Sequence, residues 1–128
     1  KKASRQRIGE DVGFLMALYD SEANAIEVPY LYDGGDPISL DPFPADEGLI
    51  SRLIHSRTPI ILNQDAERKA QELGAKILGK PAKSWLGIPL IFASEVIGAI
   101  VVQDAENEGR FTDDIVSLIS TIAPQAAI

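Results

Sequence analysis

Few residues in this chain could carry out covalent or acid–base chemistry. Its 128 residues include one histidine, His55, and no cysteine. The absence of thiols excludes disulfides, thiolate metal sites, a cysteine nucleophile and any cofactor tethered through sulfur. A single imidazole leaves little room for a histidine metal cluster or a His-based acid–base pair. Asp113-Asp114 is a carboxylate pair by type. Neighbours on a helix point in different directions, however, and both residues suit the positive start of a helix, so capping accounts for them. No Gly-x-Ser-x-Gly elbow surrounds any serine, which removes the usual hydrolase nucleophile. Gly34-Gly35 is too short for a phosphate loop and reads as a hairpin turn. What remains is binding chemistry. The lone Trp85 could stack on a planar ligand or plug the core beneath a loop. Tyr30 and Tyr32 share one strand face by period two and could line a site, the core or the surface. Asn63 and Asp65 could hydrogen-bond a polar effector or cap a helix.

These residues must be positioned by elements whose outlines the hydropathy pattern supplies. Residues 1–10 are charged helix formers and read as the end of a helix. Gly13–Asp20 and Ala25–Tyr32 are two runs of strand formers joined by the polar turn Ser21–Asn24, an antiparallel hairpin. Leu49, Ile50, Leu53 and Ile54 repeat on one helical face, with Asp46 as the expected N-cap and Thr58-Pro59 as the stop. Ile60-Ile61-Leu62 is a short strand. Asn63-Gln64-Asp65 then leads into a polar helix over 66–73, and Gly74, Gly79 and Pro81 argue against long regular structure over 74–83.

The clearest signal spans Ser84 to Asp104. Leu86, Ile88, Leu90 and Phe92 alternate onto one face of a strand, Ala93-Ser94-Glu95 turns, and Val96–Val102 is apolar on both faces. A strand of that kind needs cover on both sides and is therefore central. Thr112 is the expected N-cap of a last helix bearing Ile115, Leu118, Ile119, Ile122 and Ala126, in which Pro124 should produce a kink or a change of partner. That helix has two apolar sides, one for the sheet and one for a partner.

Composition bounds the partners. The chain is 45% hydrophobic and 24% charged, with a net charge of −7. Such a balance belongs to a globular fold, does not attract nucleic-acid phosphates and is repelled by anionic membrane surfaces. No run reaches the length of a membrane span, and the basic amphipathic start lacks the apolar core of a signal peptide, so a cytoplasmic location is expected. The beginning at Lys1 and the apolar Ala126-Ala127-Ile128 end, with no helix stop signal, suggest one domain over 1–128 whose terminal helices are truncated.

In this order the elements resemble a GAF domain. The resemblance rests on Ser84-Trp85-Leu86-Gly87-Ile88-Pro89-Leu90, on Val96-Ile97-Gly98-Ala99-Ile100-Val101-Val102, on Phe111-Thr112-Asp113-Asp114, and on a helix closing in Ala123-Pro124-Gln125-Ala126-Ala127. Leu18-Tyr19-Asp20 and Gly48-Leu49-Ile50 fit the family's upstream half. The resemblance implies an α+β fold: a six-stranded antiparallel sheet, the terminal helices on one face, and middle helices and loops over a pocket on the other. It also implies a sensory or regulatory role in proteins such as histidine kinases and diguanylate cyclases, with the terminal helices pairing as a homodimer.

Several of the family's chemistries do not carry over. Bilin attachment and free methionine sulfoxide reduction need cysteines that are absent here. The cyclic-nucleotide signature is not matched: Gln64, not Lys, follows Asn63, and Phe111 leads to Asp113-Asp114 rather than to its Asp-Glu. A haem would have only His55 as a histidine ligand, and a histidine at a helix end is more simply a cap or a solvated side chain. The cofactor is thus left open. By position, the pocket is expected to be lined by Ile50 and Ile54 of the middle helix, by Ser84 and Trp85 at the strand start, by the 63–83 segment with Asn63 and Asp65, and by Tyr32 or Tyr30 from the hairpin. Two functions fit: a small-molecule sensor, or a ligand-free dimerisation and relay module whose own side chains, Trp85 and Ile54 among them, fill the pocket.

Overall fold

The computed structural model describes residues 12–33, 36–37, 40–46, 48–75 and 82–126. The expected helix over residues 1–10 and the Gly34-Gly35 turn lie outside these residues. The strands are β1 (Val12–Asp20), β2 (Ala25–Asp33), β3 (Asp36–Pro37), β4 (Phe43–Pro44), β5 (Ile60–Leu62), β6 (Ser84–Phe92) and β7 (Glu95–Asp104). The helices are α1 (Leu49–Ser56), α2 (Ala66–Glu72) and α3 (Asp113–Ala126). The strands follow the order β3-β2-β1-β7-β6-β5, with the two-residue β4 also pairing with β2. Every pairing is antiparallel. This is the expected α+β architecture, a six-strand path with one short extra strand beside it.

The sheet separates two cores. On one face Leu15, Ala17, Trp85, Ala99 and Val101 meet Leu49, Ile50, Leu53 and Ile54 of α1 and Ala66 and Ala70 of α2. On the other face Leu86, Ile88, Leu90 and Ile100 meet Phe111 and, from α3, Ile115, Val116 and Ile119. The central hairpin β6–β7 is covered on both sides, as its uninterrupted apolar sequence requires. Phe92 departs from the expected alternation. It lies at the hairpin tip, 51% exposed, beyond the reach of α3's packing.

Local chemistry explains where the elements begin, and corrects two expected caps. Helix α1 starts at Gly48, with φ 102° and ψ 168°, and has no side-chain cap. Only glycine adopts that conformation without strain. Asp46, expected there, instead accepts a hydrogen bond from Asn24 Nδ2 at 3.2 Å, next to the Ala45 N–H that donates to Asn24 O at 2.9 Å. The segment before α1 is thereby tied to the β1–β2 turn. Asp65 occupies the N-cap position of α2 in a left-handed conformation, again without a side-chain cap bond. Its carboxylate pairs with Arg68 at 3.3 Å. Thr112 does cap α3, its Oγ1 accepting from the Ile115 N–H at 3.4 Å. Helix α3 continues through Pro124 to Ala126. No helix among the described residues is long and apolar enough to cross a membrane.

Candidate functional site

Trp85 sets the floor of a cavity of about 860 Å³ above the α1/α2 face of the sheet. It shares that floor with Leu15 of β1 and with Val101 and Gln103 of β7. The pairing explains the grouping: Trp85 lies opposite Gln103, and Leu15 opposite Val101. One wall is the approach to α1, with Phe43, Pro44, Asp46, Gly48, Leu49 and Ile50. The opposing wall is the end of α2 and its turn, with Gln71, Gly74 and Ala75.

The indole is held flat by its own strand. A side-chain carbon added at Gly87 would stand 2.7 Å from Trp85 Cη2 and Cζ3 and 2.5 Å from Leu53 Cδ1. Glycine two residues on, where the same face of the strand returns, thus leaves the space in which the ring lies beneath α1. Trp85 borders the cavity but is 2% exposed, its ring buried beside Gly87 and Leu53.

The lining is mostly apolar, with three polar side chains, Asp46, Gln71 and Gln103. This is the composition of a small-molecule site: apolar walls for area and a few polar groups for orientation. Among the described residues no group of three His, Cys, Asp or Glu side chains could hold a metal ion. His55 stands apart, exposed on α1. Its Nδ1 lies 2.9 Å from the Ser51 carbonyl oxygen, and its ring meets Tyr19 edge-on at 6.2 Å between centroids. Those contacts fit the local reading of His55 rather than an axial ligand.

Of the expected lining residues, Ile50 and Trp85 reach the cavity. Ile54 is buried one turn further along α1, in the core. Tyr32 and Tyr30 are turned away by a β-bulge. Met16 pairs with Tyr30 but Leu18 with Glu27, so Val28 and Pro29 together oppose Ala17. The extra residue reverses the alternation: Ile26, Val28 and Leu31 face the cavity-side core, while Tyr30 packs edge-on against Phe14, 5.7 Å between centroids, on the α3 side. Proline suits the bulge because it has no N–H to leave unpaired.

Ser84, Asn63 and Asp65 serve a different structure, the loop from β7 to α3. Ser84 Oγ donates to Asn107 O at 2.7 Å and accepts from the Arg110 N–H at 3.2 Å. Asn63 clamps Phe111 with both ends of its amide, Nδ2 to Phe111 O at 2.9 Å and Phe111 N–H to Oδ1 at 3.0 Å. The Asp65 N–H donates to Glu108 Oε2 at 3.1 Å. The buried Asp104 completes the knot, accepting from the N–H groups of Glu106 and Asn107 at 2.8 and 3.0 Å and pairing with Arg110 Nε at 3.2 Å.

Sequence reasoning missed Asp46 and Gln103. Gln103 carried a signal: it ends an inward series Ala99, Val101, Gln103 on a strand otherwise apolar, directly across from Trp85. Asp46 carried none, because its type and place are those of an ordinary cap.

The fold recurs in solved structures. The GAF domain of a phosphoenolpyruvate-protein phosphotransferase from Acinetobacter aligns with a TM-score of 0.70 at 21% identity, over 90% of this chain and 66% of that one. A type II free methionine-R-sulfoxide reductase from Thermoplasma acidophilum aligns with a TM-score of 0.69 at 16% identity, over 91% and 75% of the two chains. The second GAF domain of DevS from Mycobacterium smegmatis aligns with a TM-score of 0.63 at 21% identity, over 90% and 76%. At such identities the likeness is one of fold. The sequence profile of the GAF domain matches residues 2–128. Nearly the whole chain, in profile and in sheet topology, thus points one way: it belongs to the GAF domain family, whose members are generally regulatory and sensory modules.

Proposed function

We propose that this chain is the small-molecule-sensing domain of a larger cytoplasmic signal-transduction protein, such as a sensor histidine kinase or a diguanylate cyclase. The observation that carries the reading is the cavity of about 860 Å³ that Trp85 borders among the described residues, within the range that encloses drug-sized ligands. A self-filled relay module would have Trp85 and Ile54 occupying that space. Binding rather than catalysis is the role proposed: the chain has no cysteine for the thiol chemistry that the family's methionine sulfoxide reductases need.

Transmission has a physical basis in the loop knot. The end of α2 walls the cavity, Asn63 just before α2 clamps Phe111, and Phe111 leads directly into α3. A ligand that draws α2 toward the sheet would bias α3 through these bonds, provided it favours one arrangement over the other. The partner at the far end of the signal is a second copy, paired through the terminal helices.

The test uses the sole tryptophan of the chain as its reporter. A metabolite library is screened by thermal shift, and hits are titrated by Trp85 fluorescence. A true effector raises the melting midpoint, by roughly 2.7 kcal/mol of stabilisation at a hundredfold excess over its Kd, and changes Trp85 emission. A broad library without one such compound would replace the sensory reading with the relay module.

A further inference from the structure

Asn24 lies outside the cavity, in the turn between β1 and β2, yet it holds one of the cavity's walls. Its backbone oxygen accepts from the Ala45 N–H at 2.9 Å. Its side chain uses both ends of the amide: Nδ2 donates to Asp46 Oδ1 at 3.2 Å, and Oδ1 accepts from the Tyr19 hydroxyl at 2.8 Å. A carboxylate only accepts, so the amide nitrogen must face Asp46, and the oxygen is left for Tyr19. Asn24 is also left-handed, with φ 50°, a conformation that asparagine tolerates better than most residues with a side chain. The wall needs such a tie. Pro44 has no N–H to give to its pairing with Ala25. Ala45, 1% exposed, is held from the other side by Ser51 Oγ, which donates to the Ala45 oxygen at 2.8 Å. Ala45 is thus pinned between α1 and the β1–β2 turn, with the lining residues Pro44 and Asp46 on either side of it.

Resting on the sensory reading, we propose that Asn24 is a positioning residue of the ligand site: from outside the cavity it sets where Phe43, Pro44 and Asp46 stand, and thereby how closely that wall meets a ligand. The β1–β2 turn is then a place from which the affinity of the site is tuned without contact with the ligand.

The probe is N-phenyl-1-naphthylamine, a neutral apolar fluorophore, titrated into the 128-residue chain, with amide exchange followed by NMR. Asn24→Gly keeps the left-handed backbone and its carbonyl and removes both side-chain bonds. It should weaken probe binding about fivefold, the worth of one ordinary hydrogen bond. Exchange of the Ala45 N–H should quicken roughly tenfold, with exchange along β6 and β7 unchanged. Asn24→Asp keeps an acceptor for the Tyr19 hydroxyl but sets a second carboxylate against Asp46. Like charges there repel. Relative to wild type, this variant should weaken the probe more than Asn24→Gly does at low ionic strength, and recover most of that excess near about 1 M salt. A role confined to the turn would show no such salt dependence. Unchanged probe affinity in Asn24→Gly, or two variants that behave alike at every salt concentration, would overturn the assignment of Asn24 and leave the cavity a ligand site. A wild-type chain that leaves the probe unbound would overturn the sensory reading on which the assignment rests.

Discussion

Trp85 and Gly87 show how two residues share one place in the core beside Leu53. The indole lies along its own strand because the residue two positions on has no side chain to lift it. Gly87→Ala would force its methyl against Leu53 and the indole. We expect a loss of ~1–3 kcal/mol, the usual cost of overpacking a filled core, together with a shift in Trp85 emission as the ring is displaced. Urea unfolding followed by fluorescence reads both, and an unchanged emission spectrum would show that the ring does not rest on Gly87. At this scale the site was half legible in the sequence. Ile50 and Trp85 could be placed because each sits in a regular element whose period is readable. Tyr32 could not, because one extra residue at Val28-Pro29 reverses the face of everything after it. Asn63 and Ser84 could not either: their partners lie 48 and 23 or 26 residues away in a loop without periodicity.

The elements themselves were largely readable, since strand and helix periods differ and the central hairpin is apolar without interruption. What hydropathy does not encode is the backbone geometry at their ends. The β6–β7 turn places Ala93 at φ 52° and Ser94 at φ 70°, a pair of left-handed residues of the kind that two-residue hairpins reserve for Asn-Gly. Neither Ala nor Ser favours that region, at a cost of ~1 kcal/mol or more each. Arg57 Nη2 offsets part of this by donating to Ser94 O at 2.9 Å, a bond to backbone that any residue at 94 retains. The double substitution Ala93→Asn with Ser94→Gly should therefore stabilise the domain by ~1–2 kcal/mol, raising Tm by roughly 4–8 °C. Differential scanning calorimetry checks this. A lower Tm would mean that the turn relies on its present side chains. The α2–α3 connection offers the converse case. Asn63→Ala leaves both the Phe111 N–H and its carbonyl without their partner, so a loss of ~1–3 kcal/mol is expected. Faster amide exchange at Phe111 and in the first turn of α3 should accompany it.

For the whole molecule, the sheet is a partition with different surroundings on its two sides: a cavity under α1 and α2, and an apolar core under α3. The link between them runs around the β5 end of the sheet through Asn63, Phe111 and the Asp104 knot rather than through the sheet itself. On the proposed sensory reading, a signal leaving by α3 would need a surface on which to act, and α3 presents one. Ile115, Val116 and Ile119 pack onto the sheet, whereas Leu118, on the flank of the same helix, is 59% exposed. An apolar side chain so placed contributes little to the fold of its own chain. Its substitution therefore separates assembly from stability. We expect light scattering to give a mass near twice 13.8 kDa at high protein concentration. Leu118→Glu should return the monomer mass while changing unfolding free energy by no more than ~0.5 kcal/mol. The control is Ile115→Glu, which buries a charge against the sheet and should unfold the domain instead of splitting a dimer. A wild-type chain that stays monomeric throughout the concentration range would remove α3 as the pairing surface, and the route from cavity to output would then have to leave by another element.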